Sequence, residues 1–314
     1  FSNPSGQSGL IKVSNWQREF TSLHQLLANA INETANLDEI STSLIAGEVT
    51  KSFALPKSRE IIVKAAGLIA EFKRQKNDYS PPEVASPKLR RLIAVSNSYL
   101  ETLYQQVTHA FVESKNLFKS AVVGDNTTAA KLSIKKYDTY IGLLEGENLL
   151  YRLQSGILDP AVPQAHLYKT VMASNLAIVG MLEYQKNILS GSGGANLVIS
   201  ETVIARIEQA RQTIAKGEEA TTISIEYFSL DKSLSESNLR RIKNAYNTYY
   251  ESFELEEAII RLLESGFDDV KQGQEWRGVE LLAPLVDRRI SVQGKRAKII
   301  GQIGSAMNAE KHRR

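Results

Sequence analysis

The sequence predicts an all-α protein made of two stacked antiparallel helical bundles with long helices. Apolar residues recur every three or four positions in nearly every apolar segment, and this spacing places them on one face of an α-helix. Proline and glycine are scarce, with 8 and 19 residues among 314. A short motif also returns 150 positions later in the same register, as Leu89-Arg90-Arg91-Leu92 and then Leu239-Arg240-Arg241-Ile242. This indicates an internal duplication; a chance match between two helix-rich segments is the alternative.

The chain is predicted to consist of a leader and two helical modules, because its length is about twice that of a typical domain. Residues 1–9 are mostly small and polar, with two glycines and a proline, and are predicted to form a flexible leader. Prolines at positions 160 and 163 interrupt a helical pattern. We therefore predict module 1 over residues 10–162 and module 2 over residues 163–314.

Module 1 is predicted to begin with three shorter helices. Helical spacing covers residues 10–32 and again residues 37–53, with a polar break between them. Pro56 suits the first turn of a helix and predicts the start of the next one. Residues 74–87 are polar and include three prolines, so this segment is predicted to be a connector.

The clearest predicted element is a long helix that begins with Ser86 as its N-cap and Pro87 in its first turn. Its apolar stripe continues at three-and-four spacing as far as Ala121. Gly124 is then predicted to turn the chain, and Asp125 to cap a returning helix. This pair of helices is long enough to form half of a bundle.

Module 2 is predicted to follow a similar plan. The glycine-rich residues 191–194 should form a flexible loop, and a helix is predicted over residues 200–216. Residues 221–225 are rich in β-branched side chains, so any extended structure is expected there. Ser233, followed by Glu236 three positions later, forms a capping box that should open the last long helix.

The sequence contains no catalytic or metal-binding pattern. The absence of cysteine excludes disulfides, thiolate catalysis and iron–sulfur clusters. The four histidines are scattered, without the spacing of a zinc site. Glu145 and Glu147 lie beside an apolar seam, but the Glu-x-x-His motif of di-iron bundles is missing, and we interpret Asn148 as a polar residue that fixes helix register. We therefore expect a protein that is not an enzyme and uses no cofactor.

Two repeated polar sets form the candidate ligand site. They are Arg90, Arg91 and Tyr99, and Arg240, Arg241 and Tyr249. The arginine guanidinium offers a planar fork of donors to a carboxylate or phosphate, and a tyrosine adds an aromatic wall with a hydroxyl group. These residues predict a small anionic ligand. In the alternative interpretation the arginines are exposed near a helix start and the tyrosines pack in the seam.

The charges are unevenly distributed, although the net charge of +3 argues against a nucleic-acid partner. Residues 251–275 are mainly acidic, whereas residues 288–314 are mainly basic. One interpretation is a solvated helix face followed by a basic tail. The other is a surface that meets anionic lipid, nucleic acid or an acidic partner.

We expect a non-catalytic helical sensor or interaction module, with a small anionic ligand or a partner protein, and with a homodimer as one form of association. Its architecture is similar to that of receptor ectodomains made of two stacked helical bundles. The expected setting is extracytoplasmic, as the periplasmic or secreted region of a bacterial transmembrane receptor or as an anchored periplasmic protein. The alternative is a secreted or cytoplasmic scaffold that binds an anionic surface through its basic C-terminal segment. Since no apolar stretch reaches about 20 residues, membrane attachment is expected only through segments outside this chain.

Overall fold

A computed structural model describes the backbone of residues 4–84, 86–190, 196–231 and 234–271, together with individual positions between 282 and 302. Within these ranges the protein is almost entirely α-helical and contains no strand, which confirms the all-α prediction. The bounded helices are α1 Pro4–Ile45, α2 Lys51–Asp78, α3 Pro87–Val123, α4 Asn126–Ser155, α5 Pro163–Leu189, α6 Asn196–Leu230 and α7 Glu236–Lys271. The described positions between 282 and 302 are also helical, and together they are called α8.

The first helix differs from the sequence prediction at both ends. It begins at Pro4, inside the segment predicted to be a flexible leader, because a proline in the first turn breaks no helical hydrogen bond. It also continues through the predicted polar break, where Glu33 and Thr34 are buried against the neighbouring helices. Lys64 of α2 pairs with Glu33 at 2.5 Å, and the Thr34 hydroxyl donates to the Ala30 carbonyl at 2.8 Å. The polar residues thus have partners within the bundle and do not interrupt the helix.

The turn between α1 and α2 lies at Gly47, whose φ of 74° is favourable for glycine. Consequently α2 starts at Lys51, and Pro56 lies inside the helix instead of opening it. The connector to α3 is shorter than predicted, since α2 extends to Asp78.

The start of α3 and the turn into α4 confirm the sequence prediction. The side chain of Ser86 accepts from the Leu89 N–H at 3.5 Å, and Pro87 opens the helix. Gly124 has a φ of 81° at the end of α3. Asp125 Oδ1 accepts from the Thr128 N–H at 3.1 Å at the start of α4.

The sequence confines any extended structure to residues 221–225, and these residues are helical because α6 is continuous there. Thr221 is fully buried, and its hydroxyl donates to the Gly217 carbonyl at 2.8 Å, so the β-branched side chain is accommodated in the helix. At the start of α7, the cap is Ser235, whose Oγ accepts from the Asn238 N–H at 3.3 Å. Ser233 and the glycine-rich residues 191–194 lie outside the described residues.

The largest group of buried apolar side chains includes residues from all eight helices. One representative of each is Leu27, Phe72, Leu103, Leu143, Leu182, Ile214, Leu263 and Leu282. A smaller cluster lies where α1, α2 and α3 meet. Each helix from α1 to α7 packs on its neighbour in the chain, and α1 also packs on α3 as α5 does on α7. Among the described helices, none combines the length and apolar character needed to cross a membrane.

Candidate functional site

The predicted arginine–tyrosine sets are not brought together. Arg90, Arg91, Arg240 and Arg241 are all exposed, and Arg240 contacts Glu236 one turn earlier at 3.5 Å. Both tyrosines face the interior: Tyr99 lines a cavity, and Tyr249 is only 6% exposed. The cause is helix geometry, since nine residues correspond to about two and a half turns. The first arginine of each set therefore lies on the opposite face from its tyrosine.

A partly open cavity of about 110 Å³ lies between α1, α3, α4, α5 and α8, and we call it the central cavity. Its wall is mostly apolar. The alanine, isoleucine, leucine and tyrosine residues that line it are Ala28, Ile31, Ala35, Tyr99, Leu103, Tyr140, Leu143, Leu144, Ile178, Leu182 and Leu282. Two further lining residues, His24 and Glu147, make one part of the wall polar. An apolar cavity with a few convergent polar groups is the usual form of a small-molecule site.

His24 and Tyr99 form a polar contact at the wall of the central cavity. The His24 Nε2 lies 3.2 Å from the Tyr99 hydroxyl, and the two rings meet edge to face with centroids 5.6 Å apart. Burial lowers the pKa of His24, although the charge of Glu147 opposes this shift. Burial also raises the pKa of Tyr99 well above its usual value. His24 is therefore a neutral imidazole at neutral pH, and Tyr99 keeps its proton.

Beside the central cavity lies a buried polar group that we call the Arg289 cluster: Glu147, Asn148, Asn175, Glu256 and Arg289. All five side chains belong to residues no more than 8% exposed. Arg289 donates to both carboxylate oxygens of Glu256, at 2.6 and 2.8 Å, and to Asn175 Oδ1 at 3.1 Å. Glu147 Oε2 lies 3.8 Å from the Arg289 guanidinium. The cluster thus links α4, α5, α7 and α8.

Asn175 holds the two sides of the Arg289 cluster together. Its amide group donates to Glu147 Oε2 at 2.8 Å and to Asn148 Oδ1 at 3.1 Å, while its carbonyl oxygen accepts from Arg289. Burial by itself would lower the pKa of Arg289, but Glu256 and Glu147 more than offset this and raise it. Asn148, predicted to be a polar seam residue, lies at the contact between α4 and α5.

A second buried arginine, Arg296, lies seven residues further along α8. It donates to the Thr248 hydroxyl at 2.9 Å, to the Thr248 carbonyl at 2.7 Å and to the Ser252 hydroxyl. Its guanidinium stacks 4.0 Å from the centre of the Tyr249 ring, and the Tyr249 hydroxyl donates to Gln164 at 3.0 Å. Burial lowers the pKa of Arg296, and the nearby Tyr249 opposes this. Tyr249 is therefore part of the contact that holds α8.

Two residues of the acidic segment, Glu251 and Glu256, pair with the basic segment in the described residues. Glu251 of α7 lies 3.3 Å from Lys295 and 4.0 Å from Arg288. Arg289 and Arg296 are buried and do not contribute to a basic surface. Pairing between α7 and α8 therefore offsets part of the uneven charge distribution, while residues 303–314 lie outside the described part.

The Arg289 cluster was not identified from the sequence, although two signals point to it. The apolar stripe of α7 skips a position between Phe253 and Ile260, and Glu256 lies in that gap. The stripe of α5 has the same kind of gap between Val171 and Ile178, where Asn175 lies. In the ranges that the structure describes, no group of three or more histidine, aspartate and glutamate side chains is placed to hold a metal ion. No protein-family model, curated protein or solved structure matches this chain.

Proposed function

We propose that this chain is a non-catalytic helical sensor module whose small-molecule ligand binds in the central cavity. The observation that carries the proposal is an apolar cavity inside the bundle whose polar wall is formed by His24, Tyr99 and Glu147. A ligand bound there would displace water that forms few hydrogen bonds with the wall, and it would contact five helices. The exposed arginine pairs offer no comparable enclosed surface.

The output of such a sensor would be the docking of α8. Two residues connect it to the central cavity: Leu282 lines the wall, and Arg289 contacts Glu147. A ligand that contacts both Leu282 and Glu147 interacts differently with the docked and the undocked positions of α8. A difference of this kind is what allows a ligand to shift a conformational equilibrium.

The proposed setting is the extracytoplasmic region of a bacterial transmembrane receptor, or an anchored periplasmic protein. It is supported by the absence of cysteine and by the long bundle helices. The scaffold alternative, with a basic segment on an anionic surface, has less support because Arg289 and Arg296 are buried and Lys295 and Arg288 lie beside Glu251.

The proposal includes two stacked bundles related by an internal duplication. Its support is the shared phase of α3 and α7, in which several residues 150 positions apart are buried in both helices. These pairs are Leu92 with Ile242, Leu103 with Phe253, Ala110 with Ile260, and Leu117 with Phe267. Superposition of the two halves tests it.

The sensor proposal is tested with isobutanol as a probe of the central cavity. Binding measured by calorimetry should be lost in Ala28→Leu, because the larger side chain fills the space beside His24. It should persist in Ala94→Leu, which makes the same change on an exposed face of α3. Hydrogen exchange of α8 should also change when the probe binds. Binding that survives Ala28→Leu, or an exchange pattern of α8 that does not respond, would contradict the proposal.

A further inference from the structure

The Arg289 cluster contains one more carboxylate than cation. Glu147 and Glu256 face a single guanidinium, that of Arg289. His24, which also lies near Glu147, does not balance the excess because burial keeps its imidazole neutral. Within the described residues, the cluster therefore holds an unbalanced negative charge in the interior of the bundle, where an uncompensated charge is unfavourable.

The excess charge is concentrated on the side of the central cavity. Glu256 receives two charge-assisted hydrogen bonds from Arg289, at 2.6 and 2.8 Å, in the geometry that best satisfies both groups. Glu147 has the guanidinium only at 3.8 Å, which is beyond hydrogen-bonding distance. Its close partner is the neutral amide of Asn175, at 2.8 Å. Glu147 is thus the less compensated carboxylate, and it is the one that lines the central cavity.

Arg296 does not remove this excess. It lies seven residues beyond Arg289, so the two arginines are about 10 Å apart along the helix axis. Its hydrogen bonds go to neutral oxygens of Thr248 and Ser252, and its flat face covers the ring of Tyr249.

The rest of the wall defines the body of a ligand that would suit this site. Leu103, Ile178 and Leu282 offer apolar contact, and the rings of Tyr99 and Tyr140 can face a cationic group. At about 110 Å³, the cavity is smaller than the ~150 Å³ apolar cavity that holds benzene. The body must therefore be compact.

We propose that the central cavity binds a small organic cation, with a primary ammonium group at Glu147 and a compact apolar body against Leu103, Ile178 and Leu282. This inference rests on the proposed function, because it names the ligand class of the same site. It replaces the small anion predicted from the sequence, since an anion in this cavity would lie beside the carboxylate of Glu147.

The test compares three probes that share one apolar body: isobutylamine, isobutanol and isobutyrate. At neutral pH they carry a positive charge, no charge and a negative charge. The full chain should bind the amine about tenfold more tightly than the alcohol in calorimetry, because the ammonium makes charge-assisted hydrogen bonds. The carboxylate should bind more weakly than both.

Two variants separate the charge of Glu147 from its position. Glu147→Gln keeps the shape of the side chain and should abolish the preference for the amine while leaving the alcohol bound. Glu145→Gln removes the same charge from an exposed position on the same helix and should leave the preference unchanged. If Glu147→Gln fails to fold, the order of the three probes on the unaltered chain still decides.

The possible outcomes separate this inference from the sensor proposal. Equal affinity for the amine and the alcohol would overturn the cation assignment and leave a neutral-ligand sensor. Tighter binding of isobutyrate would overturn it in favour of an anion. If none of the three probes binds, both the proposed function and this inference fail.

Discussion

Replacing Arg289 by methionine tests whether the Arg289 cluster holds α8 to the bundle. The substitution keeps much of the side-chain length but leaves Glu147 and Glu256, which are 5% and 0% exposed, without their cation. Breaking a buried pair by removing one partner costs about 3–5 kcal/mol. Because a typical unfolding free energy is about 5–15 kcal/mol, this loss should be a large fraction of the total. Urea denaturation followed by circular dichroism measures it.

The neighbouring residue supplies a matched control. Arg288 is 64% exposed and lies 4.0 Å from Glu251, so Arg288→Met should change the unfolding free energy by less than about 1 kcal/mol. Combining Arg289→Met with Glu147→Gln and Glu256→Gln should restore most of the lost stability, because both unpaired charges are then gone. If Arg289→Met is no more destabilising than Arg288→Met, the cluster does not hold α8.

Three other perturbations probe packing and titration. Gly217→Ala should lower the unfolding free energy measured in urea by about 1–3 kcal/mol, because the new Cβ would overlap the Phe253 ring. In the control Gly67→Ala the new Cβ meets no neighbour, so the unfolding free energy should rise by about 0.5–1 kcal/mol. Equal effects of the two substitutions would refute the overlap at Gly217. Leu103→Ala should lower the unfolding free energy by about 2–5 kcal/mol. An unchanged midpoint of thermal unfolding in calorimetry would show that Leu103 is not buried. Burial lowers the pKa of His24 below 6.5, so the unfolded chain takes up the proton first and stability should fall as pH decreases from about 7 to 5. His24→Gln should flatten that slope.

The parts of the fold that the sequence predicts well are those fixed by local chemistry. Ser86 and Pro87 mark the start of α3, and Gly124 and Asp125 mark the turn into α4, because capping and a left-handed turn depend on neighbouring residues. The β-branched residues near Thr221 are helical because helix packing outweighs the preference of such side chains for extended structure.

The candidate site could not be assembled from the sequence alone. The arginine–tyrosine sets recur along the sequence, but helix phase separates Arg90 from the inward-facing Tyr99. The Arg289 cluster requires knowing that α8 returns to α5, since Arg289 and Asn175 are 114 residues apart. The signal that the sequence does contain is a polar residue in a gap of an apolar stripe. Such a residue lies at a buried position and therefore needs a partner from another helix.

The distant partners of α8 have a consequence for how the chain is made. Helices α1 to α7 each find a packing partner in the preceding or following helix, whereas α8 forms hydrogen bonds with residues 114 and 132 positions earlier. While the ribosome is still producing α8, the seam between α4, α5 and α7 holds two carboxylates that water must solvate. The docking of α8 then expels that water as Arg289 arrives. We expect this step to be slower than formation of the helices themselves, and to be the stage at which a nascent chain is most exposed to chaperones and proteases.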